Sequence, residues 1–317
     1  MTATTKPLPR PLGAMGLVGV LWRFSRPHTI IGTTAGILGI YAIAAAELAG
    51  GDLAADVVDL FWVLVAGVCV NVFIVGVNQL EDVEIDRINK PELPIAAGEL
   101  TVEAGRRIVA LCAVVPVVLA VTQGAVELVS VGAALAIGAA YSVPPVRLKR
   151  RPLVAALSIT VVRPLIVNLG VWLHFAATLG GDTGLGGVGP AVWALIALTL
   201  PFSFAIAILK DVPDIEGDRR FDIATFSVRL GARPVFLAGL GALLAAELGM
   251  AIAGPLLLDD ANGALLVGTH LAAAAALVLW AARLDLDDRD AFTAFYQRVW
   301  RLFFLEYAIV AAAVLVG

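Results

Sequence analysis

Between Phe61 and Glu81 the chain runs WVLVAGVCVNVFIVGVNQL without one charged side chain. A stretch this long and this apolar leaves few folding options. Its backbone groups must be satisfied within the segment, and a helix of about 20 apolar residues is the length that crosses a bilayer core. The pattern recurs. Comparable blocks lie near 29–49, 57–80, 104–122, 124–143, 153–177, 187–209, 234–254, 263–282 and 302–317, the last of them short. The third and fourth are parted only by a tight turn at Gln123–Gly124. The chain is 60% hydrophobic and 15% charged, whereas soluble domains are about half apolar and a quarter charged. The expected fold class is therefore all-α: a polytopic membrane protein of about nine transmembrane helices, with the bilayer as its solvent. Residues 1–22 read as a flexible tail and interfacial segment, and residues 23–317 as the transmembrane domain.

Lys and Arg then orient the spans. The stretches 50–56, 123–127, 178–190 and 255–262 contain neither, while the basic residues collect in the N-terminal tail and in 87–107, 147–151, 210–233 and 283–301. With nine spans those basic regions share one face, expected to be cytoplasmic by the positive-inside tendency. This places the protein in the cell membrane, with the N-terminus inside and the C-terminus outside. Arg23 and Arg26 interrupt the first apolar stretch, so it does not read as a signal peptide. A net charge of −4 argues against nucleic acid as a partner. Cys69 and Cys112 sit within apolar runs and read as small hydrophobes. His28, His174 and His270 are too widely spaced for a zinc-type motif to be read, and His174 is expected at the outer interface.

Two acidic clusters sit at the basic face. The first, NQLEDVEID, places Asn78, Asp82 and Asp86 four residues apart at the end of the second span. Continued as a helix, that spacing turns three oxygen-bearing side chains to one face. The second, KDVPDIEGD, follows the sixth span and carries Asp211, Asp214 and Asp218, again one helical face. Each has a pair of Asp four apart followed at once by Arg, which suggests a weak internal repeat with its copies facing across a central cavity. A single cluster would read equally well as a solvated helix end. Two with matched spacing on one face favour a shared task. Hard divalent ions prefer oxygen ligands and bind jointly with substrate phosphates, so the clusters suggest a diphosphate held between two Mg²⁺-loaded walls. Lys149, Arg150, Lys210 and the deep Arg163, about 16 Å into its helix at 1.5 Å per residue, are candidate cations for the clamp. An intramembrane cation is costly and usually functional, so Arg163 is a candidate partner for a carboxylate or a diphosphate.

At these motifs the chain resembles the UbiA superfamily of intramembrane prenyltransferases. RFSRPHTIIGT (23–33), NQLEDVEIDRINKPELPIAAGE (78–99), KDVPDIEGDRRFDIATFSVRLG (210–231) and FYQRVWRLFFLEY (295–307) are similar to its homogentisate phytyl/solanesyl transferase branch. The second motif departs from the superfamily's commoner spacing in having its first two Asp three apart, which agrees with that branch. The resemblance implies a bundle around a central cavity and Mg²⁺-dependent prenyl transfer to an aromatic ring. It implies that Asn78, Asp82 and Asp86 bind one Mg²⁺ and that Asp211, Asp214 and Asp218 bind or orient a second. It further implies that Lys149 and Arg150 contact the diphosphate, and that Arg23 and Arg26 stand where the family carries basic residues.

Ionising an allylic diphosphate produces a carbocation and a departing anion. Metal and Lys/Arg charge stabilise the anion, while an apolar interior keeps water from the cation. An electron-rich phenol then attacks, homogentisate with decarboxylation being the expected acceptor. His28, Tyr141, Asn168 and Arg163 are the candidates to face it, Asn168 reading equally as a polar bond between helices and Tyr141 equally as an interfacial anchor. The expected partners are thus a prenyl diphosphate of geranylgeranyl or phytyl type, the aromatic acceptor and the lipid bilayer. The alternatives are a terpene cyclase of the same superfamily, in which the cation closes on itself, and prenyl transfer to a different acceptor. A transporter would account for intramembrane charge but not for two aspartate walls at one face.

Overall fold

The computed structural model describes residues 14–220 and 224–317, and the rest of the N-terminal tail expectation lies outside those residues. Fourteen α-helices carry nearly all the described chain. In order they are α1 (Ala14–Phe24), α2 (Pro27–Leu48), α3 (Val57–Glu81), α4 (Val83–Asn89), α5 (Val102–Gln123), α6 (Ala125–Ser142), α7 (Pro152–Val161), α8 (Asn168–Thr178), α9 (Pro190–Leu209), α10 (Ile215–Arg220), α11 (Phe226–Leu230), α12 (Ala232–Leu257), α13 (Gly263–Ala282) and α14 (Arg289–Leu315). Among the described residues there is no strand.

Eight helical segments are long and apolar enough to cross a membrane: α2, α3, α5, α6, the α7–α8 rod, α9, α12 and α13. The stretch expected as a ninth span falls within α14, which starts well before residue 302, runs 27 residues and is not one of those eight. Arg298, Arg301 and Glu306 keep it from the uncharged pattern of the others. It nevertheless packs lengthwise on α2 and α9, so length and packing make it part of the bundle. On α5, Leu111, Val114, Val118 and Val121 all lie exposed on one face. In water such a stripe would be a liability; against lipid tails it is matched to its solvent. Helix α9 is the reverse case, buried around most of its circumference and central to the main core. Cys69 and Cys112 are free thiols.

The fifth span is not a continuous α-helix. Residues Val162–Val167 form a π-helical segment, in which the Asn168 amide bonds the carbonyl of Arg163. Pro164 supplies the reason, since it has no N–H to give and its ring crowds the preceding turn. The wider turn places one extra residue in the helix and re-aims the side chains on either side of it.

Candidate active site

The charged face of the bundle is built from helix ends. Helix α3 stops at Glu81 because Asp82 leaves the helical region, at φ −114° and ψ 19°, and α4 restarts one residue later. The first motif is therefore broken at its central aspartate and does not form one continuous helix. The second motif departs further from expectation. Helix α9 ends at Leu209, Asp211 and Asp214 lie in the following turn, and only Asp218 is helical, on α10. Pro213 ends the helix here, because it disfavours helical backbone at Val212 and offers no N–H. Each wall is built the same way: a long helix, a short break, and a short helix bearing the last aspartate.

Both walls face one cavity of about 1220 Å³. All six motif residues line it, as do Arg23, Arg26, His28, Tyr141, Lys149, Arg150, Arg163 and Lys210. Asp82 is the most heavily engaged. It accepts from Asn78 Nδ2 and Arg147 Nη2, each at 3.0 Å, and from Lys149. On the other wall Asp214 accepts from Lys90, with Arg289 at 3.7 Å. Lys210 lies 3.8 Å from Asp211 and donates to the Tyr141 hydroxyl at 2.9 Å. The walls are also joined directly, since Asn89 at the end of α4 donates to Asp218 at 3.2 Å. Gly217 is what lets it approach: a Cβ there would fall 1.6 Å from Asn89 Oδ1.

Lys90, Asn89, Arg147 and Arg289 are thus site residues that motif spacing did not single out. Arg147 pairs with Asp82, while Arg150, expected at the diphosphate, also lines the cavity and is exposed. Arg23 is at the rim, ion-paired with Glu99. Arg26 and Arg147 hold left-handed backbone, φ 53° and 38°. That region is unfavourable for residues other than Gly, Asn and Asp and tends to mark functional positions; both arginines line the cavity.

Burial shapes the carboxylates. Asp86 is pushed up to about 6, chiefly by burial, with Arg26 and Lys90 pulling the other way. Asp218 is pushed up to about 7 by burial and by the nearby Asp211 and Asp214. The Lys149 ammonium is lowered by burial despite its contact with Asp82. Asp86 Oδ2 is buried without a hydrogen-bond partner. An oxygen-only donor set with an orphaned carboxylate oxygen is what a hard divalent cation requires, so the residues fit such an ion.

Deeper in, the cavity turns apolar past Ile74, Ile159 and Val162 and meets Arg163 and Trp300. A smaller space of about 130 Å³ shares Asn71, Ile74, Val162 and Arg163 with it and continues toward Gly36, Val63 and Tyr307. The Arg163 guanidinium lies 5.4 Å from the ring centres of both Trp300 and Phe303, and its Nη1 has no hydrogen-bond partner. Gly32 makes room for it, since a Cβ there would sit 2.6 Å from Nη1. His28 stacks edge-on against Trp300 at 5.2 Å.

Two expectations need correcting. Asn168 lines neither space. It is fully buried, donates to Thr199 at 3.4 Å and accepts from the Tyr307 hydroxyl at 3.1 Å, so it ties α8 to α9 and α14. Asn168→Ala is expected to lower thermal stability in detergent by about 1–3 kcal/mol, the cost of leaving buried partners unsatisfied, with substrate KM values unchanged. His174, expected at the interface, is 1% exposed and paired with Asp59.

Comparison with known proteins agrees with this architecture. The UbiA prenyltransferase family matches residues 15–305. The homogentisate phytyltransferase of Synechocystis sp. is 44% identical over 297 residues, 93% of this chain and 95% of that protein. The chloroplastic homogentisate solanesyltransferase of Arabidopsis thaliana is 35% identical over 291 residues, 91% and 75% of the two chains. A solved UbiA homolog from Archaeoglobus fulgidus bound to GPP and Mg²⁺ superposes with a TM-score of 0.57 at 16% identity, covering 92% of this chain and 99% of the other. That likeness speaks for the fold, and the sequence match over nearly the whole chain completes the assignment: this protein is a member of the UbiA prenyltransferase family.

Proposed function

We propose that this membrane enzyme transfers a prenyl group of geranylgeranyl or phytyl type from its diphosphate to homogentisate, with decarboxylation. The observation that carries the reading is the single cavity onto which both aspartate walls and their lysines and arginines open, polar at the membrane face and apolar within. Relatives named for homogentisate transfer, at up to 44% identity, support the acceptor.

Mg²⁺ held by Asn78, Asp82 and Asp86, with a second ion at Asp211, Asp214 and Asp218, would supply Lewis-acid charge to the diphosphate. The chain's own residues do the rest. Arg147, Lys149, Lys90 and Lys210 line the diphosphate end and bring positive charge to where negative charge develops as the allylic C–O bond breaks. The apolar stretch past Ile74 and Val162 excludes water from the carbocation. Arg163 stands where a small acidic phenol would meet that cation, with an unpartnered donor for its carboxylate. The ring carbon forms the new C–C bond and loses its proton, while the acetate arm releases CO₂ and gains one, so protons balance. The charged face is cytoplasmic in this reading, and the prenyl chain enters from the lipid.

The test is purified protein with Mg²⁺, geranylgeranyl or phytyl diphosphate and homogentisate. A prenylated, decarboxylated quinol is expected. A cyclic product from prenyl diphosphate alone, or no product across phenolic acids and chain lengths, would overturn the proposal.

The raised Asp86 and Asp218 give a pH dependence. Each binds its proton more tightly folded than at the ordinary 3.8, so the folded state holds more protons between about pH 4 and 7. Metal-free protein is therefore expected to lose stability as pH rises through that window. Divalent-cation affinity should climb over the same range, since binding needs the ionised carboxylates. Thermal unfolding with chelator and calorimetric Mg²⁺ titration, each from pH 5 to about 8, check the two halves.

A further inference from the structure

Three ionisable side chains meet inside the bundle, away from the cavity. Glu247 of α12, His270 of α13 and Glu306 of α14 are each 0% exposed, and none lines the prenyl cavity or its deeper continuation. One donor atom from each lies within 4.8 Å of the other two. His270 Nδ1 is 2.7 Å from the carbonyl of Leu266. An N–H donated there leaves Nε2 with its lone pair directed away from the backbone, the arrangement that orients metal-ligating histidines. Nε2 comes to 2.9 Å from Glu306 Oε2 without hydrogen-bond alignment. Both oxygens of Glu247 and both of Glu306 also lack partners.

We propose that these three residues form a structural site for one divalent cation of the zinc class. Two glutamates and a neutral imidazole carry two negative charges in a region with no water to solvate them, and one divalent ion cancels both. A network with protons on His270 and Glu247, each donated to Glu306, would still leave one oxygen of Glu247 unsatisfied. One ion with carboxylate ligands engages the three residues together. A tetrahedral ion holds neighbouring donors roughly 3.3 Å apart, so modest side-chain adjustment brings the three residues onto it without backbone movement, and the second oxygen of either glutamate supplies the fourth ligand. Mixed imidazole and carboxylate donors favour zinc over Mg²⁺ or Ca²⁺, which prefer oxygen alone. The ion joins α12, α13 and α14 into one unit, and full enclosure means that it is loaded as the chain folds.

Protein purified without chelator and dialysed to remove loosely held ions is tested by elemental analysis. About one zinc per chain is expected in the wild type and in the Asp82→Ala/Asp214→Ala double variant, whose aspartate walls are disabled. His270→Ala should lose it. Because His270→Ala can fail to fold, the wild type is also expressed with cobalt, and a visible ligand-field spectrum should appear. Wild-type protein with neither zinc nor a cobalt spectrum would overturn the site, as would a folded His270→Ala that retains the zinc.

Discussion

Asp82→Ala and Asp214→Ala are each expected to cut prenyl transfer by at least about 100- to 1000-fold, the scale for removing one preorganised electrostatic contact at a developing charge. Each residue is the anchor of its wall. Asp82 gathers Asn78, Arg147 and Lys149, and Asp214 gathers Lys90 and Arg289. Removing either takes an oxygen donor from the proposed metal set and also releases the cations it positions. Asp82→Asn and Asp214→Asn separate these effects, because the amide keeps the shape but loses the charge. Turnover at saturating substrates, alongside size-exclusion and circular dichroism controls, is the measurement. A folded variant of either residue with near-normal turnover would remove that wall from the mechanism.

Arg163→Met should have the second largest effect, concentrated on the acceptor. The guanidinium is stacked between Trp300 and Phe303 with one nitrogen unpartnered. Losing one member of an enclosed charge pair costs about 2–5 kcal/mol, a loss of roughly 30-fold or more in kcat/KM. The loss should fall on homogentisate and spare a hydroquinone that lacks the carboxylate, so discrimination between the two collapses. The KM for prenyl diphosphate should stay unchanged. Arg163→Lys should rescue poorly, since a point charge cannot reproduce a planar, stacked fork. If prenyl diphosphate KM moves in place of the acceptor's, Arg163 belongs to the diphosphate. If neither moves, its role is confined to packing.

The membrane spans were legible because an apolar block of about 20 residues has a single outcome in lipid whatever its neighbours are. The two aspartate motifs were legible because their charges stand out at the ends of such blocks. Their local conformation was not, since one residue decides each break: Asp82 in the first wall and Pro213 in the second. Lys90 and Arg289 escaped notice because they reach Asp214 from distant parts of the chain. Asn168 was open to two readings, substrate contact or bond between helices, and the choice between them rests on Thr199 and Tyr307, which reach it from two other helices. The union of Glu247, His270 and Glu306 was hidden for the same reason as Lys90: three separate helices supply one residue each.

The hydrogen bond from Asn89 to Asp218, admitted by Gly217, makes the two walls mechanically continuous. In the proposed mechanism, occupancy of one would be felt at the other through this bond, and such coupling is reciprocal. Whatever factor a filled first wall confers on the second, a filled second wall returns to the first. If the proposed ions and diphosphate occupy these walls, their binding is expected to be cooperative, and a bulkier residue at position 217 is expected to weaken that coupling.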